Sequence, residues 1–160
     1  MGSIVNLVLR DATEADAGLI GAFVRALAAY EKLAHEALAT DADFAAGLAA
    51  CRFAALIAEH DHTPVGFALW YPTFSTFTGR PGLYLEDLFV LPEHRGHGIG
   101  RAILRDLARR ALAQGCARLE WSVLDWNKPA IDFYRAIGAT PMDEWTVQRM
   151  DMAALANLAE

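Results

Sequence analysis

The chain has 160 residues, 54% of them hydrophobic, and a formal net charge of −6, which fits one folded domain and excludes wholesale disorder. With 14 Lys and Arg against 20 Asp and Glu, it is a poor match for nucleic acid, whose phosphates need a basic face, and a better match for a small cationic partner. Cys51 and Cys116 form no CxxC pair, so neither a disulfide framework nor a zinc site is expected, and a reducing, cytoplasmic setting is.

Residues 4–10 read as a short strand. Residues 1–10 lack the basic region and long apolar core of a secretory signal, and Asn6 stands where a myristoylation signal at Gly2 needs Ser or Thr. Thr13-Glu14-Ala15-Asp16 reads as a capped helix start, and Leu19, Ile20, Phe23, Val24 and Leu27 recur at helical spacing to about Leu33. A shorter helix is expected over 41–50. Strands over 53–58 and 65–71 flank a turn and predict a hairpin. Residues 72–82 read as a loop, and 83–91 as a long strand stopped by Pro92.

The clearest helix covers 98–114. Ile99, Ile103, Leu107 and Ala111 form one i, i+4 row, with arginines opposite, and Gly115 ends it. A strand over 118–124, a helix over 128–136 with Pro129 in its first turn, a last strand over 145–150 and a terminal helix over 152–159 complete the series. No run approaches the ~20 apolar residues of a membrane helix. The mixed order predicts an α/β or α+β domain around one mixed sheet.

The most informative segment passes from the apolar strand 83–91 through glycines 96, 98 and 100 into the helix. Glycines let backbone N–H groups converge, and the helix dipole behind them favours an anion. A pyrophosphate cradle and an ordinary tight connection are both consistent with this turn. It is neither a Walker loop nor G-x-G-x-x-G.

Arg95-x-x-Gly98-x-Gly100 after that strand resembles the acetyl-CoA signature of the GCN5-related N-acetyltransferases. Tyr84-Leu85-Glu86-Asp87-Leu88-Phe89-Val90, Trp126-Asn127-Lys128-Pro129-Ala130 and Phe133-Tyr134 look like its diamine (spermidine/spermine) branch, over nearly the whole chain. The resemblance implies a single GNAT domain over 1–160: a twisted mixed sheet of six to seven strands, four to five helices, and a splay at the cofactor site.

For acetyl-CoA, the resemblance implies main-chain pairing of Leu88, Phe89 and Val90 with the pantetheine arm. The pyrophosphate would be held over Arg95, Gly96, His97, Gly98, Ile99, Gly100 and Arg101. Asn127, Lys128, Pro129 and Ala130 would meet the sulfur end. Lys128 departs from the pattern, since relatives carry Glu there. No metal is implied, and His94 and His97 read as flanking the turn.

An amine acceptor arrives protonated, because its pKa is near 10. It must lose a proton before attack, and the departing thiolate must gain one. The resemblance makes Tyr134 the acid, next to the cofactor, and Glu86 the base within the substrate groove. Without it, Phe133-Tyr134 reads as a packed pair and Glu86 as a cross-strand ion pair. Glu86 and Asp87 are adjacent in a strand, which points them to opposite faces and gives Asp87 a structural job.

Tyr30 and Glu31 match a substrate-binding pair, and Glu120, Trp121 and Ser122 fall where relatives touch substrate. The implied acceptor is a small polyamine or diamine. The alternative is a lysine-like amino acid (thialysine or ornithine type), whose carboxylate needs a basic group, for which Arg80 is the candidate. A CoA-binding module without catalysis is the third reading. Relatives are homodimers, and 145–150 is the expected contact strand.

Overall fold

The computed structural model describes residues 5–160, so Ile4 of the first strand and Gly2 lie outside the described residues. The chain forms two compact units, Met1–Leu124 and Asp125–Glu160.

The first unit holds strands β1 (Leu7–Asp11), β2 (Ala54–His60), β3 (Thr63–Ser75), β4 (Arg80–Val90) and β5 (Leu119–Glu120), with helices α1 (Ala17–Tyr30), α2 (Asp41–Ala49) and α3 (Ile99–Ala113). The sheet order is β1-β2-β3-β4-β5. The first four strands are antiparallel neighbours and β5 joins β4 in parallel, so the sheet is mixed.

Five strands form among the described residues, not six or seven. Residues 145–150 are irregular. A strand needs a neighbour for its N–H and C=O groups, and here Trp145 and Val147 are exposed instead. Residues 118–124 contract to the two-residue β5. Residues 72–82 are largely strand, not loop, because Tyr71, Thr73 and Phe74 favour extended backbone and pair with Tyr84, Gly82 and Pro81. Helix α1 stops at Tyr30 rather than Leu33, since Lys32 takes φ +63°.

Each sheet face carries one helical layer. Ile20 and Phe23 of α1 and Phe44 of α2 pack with Ile57, Phe67, Leu69 and Phe89. Phe23 and Phe67 stack at 5.4 Å. The predicted row Ile99, Ile103, Leu107 and Ala111 of α3 is buried on the other face, where Arg110 lies over the Trp70 ring. Truncating Phe67, which is fully buried, would cost on the order of 3–5 kcal/mol.

At one edge, Arg10 bonds both oxygens of Asp16 and also Glu59. Asp16 reaches back to the Thr13 N–H at 2.8 Å, so the expected cap forms, on a short 3-10 turn ahead of α1. The bonds from Arg10 and Thr13 hold the Asp16 carboxyl below its ordinary range.

The second unit contains α4 (Lys128–Ala136) and α5 (Met152–Ala159). No helix among the described residues is long and apolar enough to cross a membrane.

Candidate active site

Strand β4 carries one residue too many for its partner. Asp87 pairs with Leu69 and Leu85 with Trp70, so Glu86 is the extra residue of a β-bulge. In such a bulge two residues oppose one, and the side-chain alternation slips by a position. Leu85, opposite Trp70, therefore faces α3, while Asp87 and Phe89, opposite Leu69 and Phe67, face α1.

Glu86 accepts a hydrogen bond from the Tyr71 hydroxyl at 3.1 Å, and Tyr71 follows Phe67 and Leu69 on the α1 side. The bulge thus brings Glu86 and Asp87 to one face, where simple alternation put them on two.

Glu31, at the end of α1, adds a third carboxylate. Burial raises its pKa. Burial also raises Asp87, to about 6, with the charges of Glu86 and Glu31 adding to it. Tyr71 is pushed up to about 12 by burial, by the charge of Glu86 and by their hydrogen bond, so its hydroxyl stays a donor at neutral pH.

A row of polar groups extends from this cluster along β5. Tyr84 stacks on Tyr71 at 5.3 Å, and its hydroxyl shares a 2.7 Å hydrogen bond with Ser122. Glu120 stands in register with Tyr84 and forms an ion pair with Arg118, Nε to carboxylate oxygen 2.8 Å. Trp121 lies between them, half-buried. The structure therefore gathers Glu31, Glu86, Glu120 and Ser122 of the expected groove, together with Tyr71 and Tyr84. Neither tyrosine carries a family role in the sequence reading; their signal was their placement flanking the acidic pair across one hairpin.

Beyond the bulge the other edge of β4 is open. Its pairing with β5 ends at Tyr84, so among the described residues no strand covers the edge of Leu88, Phe89 and Val90. These three pair only with Ala68, Phe67 and Gly66 of β3. Gly66 permits that approach: a Cβ there would meet the Phe89 carbonyl oxygen at 2.6 Å.

The open edge leads through Leu91 and a 3-10 turn into the glycine turn. Gly96 and Gly98 adopt φ +79° and +84°, a region that favours glycine. Gly98 is the N-cap of α3 and offers it no side chain, so the first N–H groups of Ile99, Gly100 and Arg101 face outward for an external acceptor. Nothing stands within 4 Å of a Cβ at Gly96, leaving room there. An extended amide chain ending in a diphosphate fits this edge and turn.

Arg95 turns back instead of into that space. Its Nε donates to the Val90 carbonyl at 2.8 Å, and its guanidinium lies 4.5 Å from the Tyr30 ring and 5.2 Å from the Phe89 ring. The planar cation stacked between two rings pins the turn to β4 and α1. His97 shares a contact with the His94 carbonyl at 3.3 Å.

The remaining expected residues lie in the second unit. Asn127, buried, accepts from the Ala130 N–H at 3.4 Å and caps α4, with Pro129 in the first turn. Lys128 bonds Asp132 one turn on, so its side chain is occupied along its own helix. Tyr134 lies 5.4 Å from Phe133, ring to ring.

Known proteins are similar to this chain. The family described as Acetyltransferase (GNAT) matches residues 20–139. A thialysine N-epsilon-acetyltransferase of Bos taurus is 40% identical over 166 residues, covering 96% of this chain and 97% of the relative. An L-ornithine N5-acetyltransferase of Arabidopsis thaliana is 38% identical over 96 residues, 60% of this chain and 42% of the relative. Among solved structures, an integron cassette protein from V. cholerae superposes with a TM-score of 0.79 at 26% identity, covering 98% of this chain and 99% of that one.

Proposed function

The chain belongs to the acetyltransferase (GNAT) family and is an N-acetyltransferase, and from that premise we propose that it acetylates the terminal amine of a small cationic amino acid of the lysine type. The reading takes 1–160 as one catalytic domain. The observation that carries it is the bulge at Glu86, which sets three carboxylates beside an open strand edge. The relative named for thialysine, alike over nearly its whole length, favours the amino-acid acceptor over the polyamine. The acidic cluster favours a polyamine as the second acceptor, because a second ammonium gains from each further carboxylate.

Acetyl-CoA supplies the activated acetyl group. Its diphosphate would rest on the N–H groups of 96–101 at the N-terminus of α3, and its amide arm along the uncovered edge of Leu88, Phe89 and Val90, where Arg95 already holds the Val90 carbonyl. Asn127, Lys128, Pro129 and Ala130 would line the thioester end, Lys128 through its main chain since its side chain is paired with Asp132.

The chain's own residues then move two protons. Glu31, Glu86 and Asp87 draw in the ammonium, and Tyr30, stacked on Arg95, walls the entrance. Glu86 is held by Tyr71 and takes the ammonium proton, directly or through water. Tyr134 would give its phenolic proton to the departing sulfur as the C–S bond breaks and take back the second proton that the nitrogen loses in becoming the amide. Glu120, Trp121 and Ser122 line the far end of the groove.

The chain pairs with a second copy of itself in this reading. Met142, Trp145 and Val147 are 64%, 72% and 81% exposed, and a second copy of the chain would cover such a patch. The unpaired cysteines fit a reducing cytoplasmic setting.

A thiol-release assay with acetyl-CoA over a panel of amines tests the function. Turnover with lysine-like amino acids above that with putrescine or spermidine is expected. Preference for polyamines would exchange the two readings, and release with no amine at all would overturn both.

A further inference from the structure

Strand β5 sets a pair of opposite charges where the far end of an acceptor would lie. Arg118 and Glu120 meet at 2.8 Å with side chains 47% and 38% exposed. They stand two residues apart, Arg118 just ahead of the strand, and Glu120 shares the row of Tyr84. Ser122 continues that row, and Tyr84 stacks on the tyrosine that holds Glu86.

The spacing matches one class of molecule. Two residues advance about 6.6 Å along a strand and neighbouring strands lie about 4.8 Å apart, so the step from the level of Glu86 to that of Glu120 is about 8 Å. A lysine side chain sets its amine about 6 Å from its α-carbon when extended. An amine at Glu86 therefore brings the α-ammonium to Glu120, and the α-carboxylate to the guanidinium that Arg118, rooted two residues further back, extends to Glu120. Arg80, the basic candidate from sequence, lies at the exposed start of β4 opposite Ser75. It is six residues from Glu86, about 20 Å along the strand, and out of reach.

We infer that Arg118 and Glu120 together read the zwitterionic head of a free α-amino acid, Arg118 donating to the carboxylate and Glu120 accepting from the α-ammonium. This rests on the amino-acid reading above. Nε of Arg118 meets Glu120 at 2.8 Å, and a guanidinium has five N–H donors, so its other N–H groups supply the donors for a carboxylate. A polyamine offers nothing to Arg118. The pair thus favours the amino acid over the polyamine, which the carboxylate cluster alone does not.

Three acceptors and two variants form a crossed test: lysine, 6-aminohexanoate (lysine without its α-amine) and cadaverine (lysine without its carboxylate). Arg118→Gln is expected to raise KM at least tenfold for lysine and 6-aminohexanoate, with kcat within twofold, and not to raise it for cadaverine. Glu120→Gln is expected to raise KM for lysine and cadaverine and to spare 6-aminohexanoate. The spared acceptor in each case shows that the variant is folded. A wild-type enzyme that prefers lysine, combined with flat or uniform responses in both variants, overturns the inference while the acceptor reading stands. A wild-type enzyme that prefers cadaverine to lysine removes the acceptor reading and this inference with it.

Discussion

The hydroxyl of Tyr71 donates to Glu86 across 3.1 Å, from the strand facing the bulge. That bond fixes one oxygen of the carboxylate and leaves the other for the acceptor. Tyr71→Phe should lower kcat/KM about tenfold, the usual worth of a hydrogen bond to a charged group. Steady-state kinetics checks this; an unchanged kcat/KM would mean that Glu86 needs no holder.

Asp87 carries a pH prediction with two opposite signs. Its pKa rises from 3.8 to about 6 in the fold, so the folded protein holds this proton more tightly than the unfolded chain. The stability it contributes is complete below about pH 4 and lost as pH rises through 6. Asp87→Asn should therefore raise the unfolding free energy from urea titration at pH 8, by at most about 3 kcal/mol, and do little at pH 4. Activity should run the other way. In the wild type, kcat/KM for a cationic acceptor gains a limb near pH 6 as the third carboxylate ionises, and the variant should lack it. Matching pH–rate profiles for the two proteins would exclude Asp87 from the acceptor field.

Arg95 is flat where it matters, stacked on Tyr30 and bonded to the Val90 carbonyl. Arg95→Lys keeps the charge and loses the plane. We expect a lower melting temperature and a severalfold weaker CoA affinity by calorimetry, because the glycine turn is no longer tied to β4. If lysine restores full CoA affinity, charge alone is what the turn requires.

Tyr134→Phe should cut kcat at least a hundredfold, the range of general acid catalysis, while calorimetry with CoA changes little. Equal losses in binding and turnover would make the residue a packing group beside Phe133 rather than the acid.

Much of this architecture was legible from residue order alone. The row of Ile99, Ile103, Leu107 and Ala111 announces α3 because helical periodicity is local. The glycines at 96 and 98 announce a turn because few other residues accept its φ. The parts that were not legible depend on partners distant in the chain. Whether 145–150 is a strand depends on a neighbour for its amides. Whether Glu86 and Asp87 share a face depends on the register with Leu69, which no pattern within β4 reveals. Arg118 escaped notice because a lone arginine before a short apolar run has no signature until Glu120 and Tyr84 stand next to it.

The bulge at Glu86 also divides β4 into two halves with separate duties. Leu83 and Leu85 are committed to the layer under α3, and Phe89 to the layer under α1. Exchanging Glu86 for another residue alters only the chemistry offered at the hinge between those halves. Excising it would restore strict alternation and thrust one half's greasy side chains onto the wrong surface. Natural variation at this site should therefore tolerate replacement but never deletion, and a one-residue loss here should abolish folding where several replacements cost only activity.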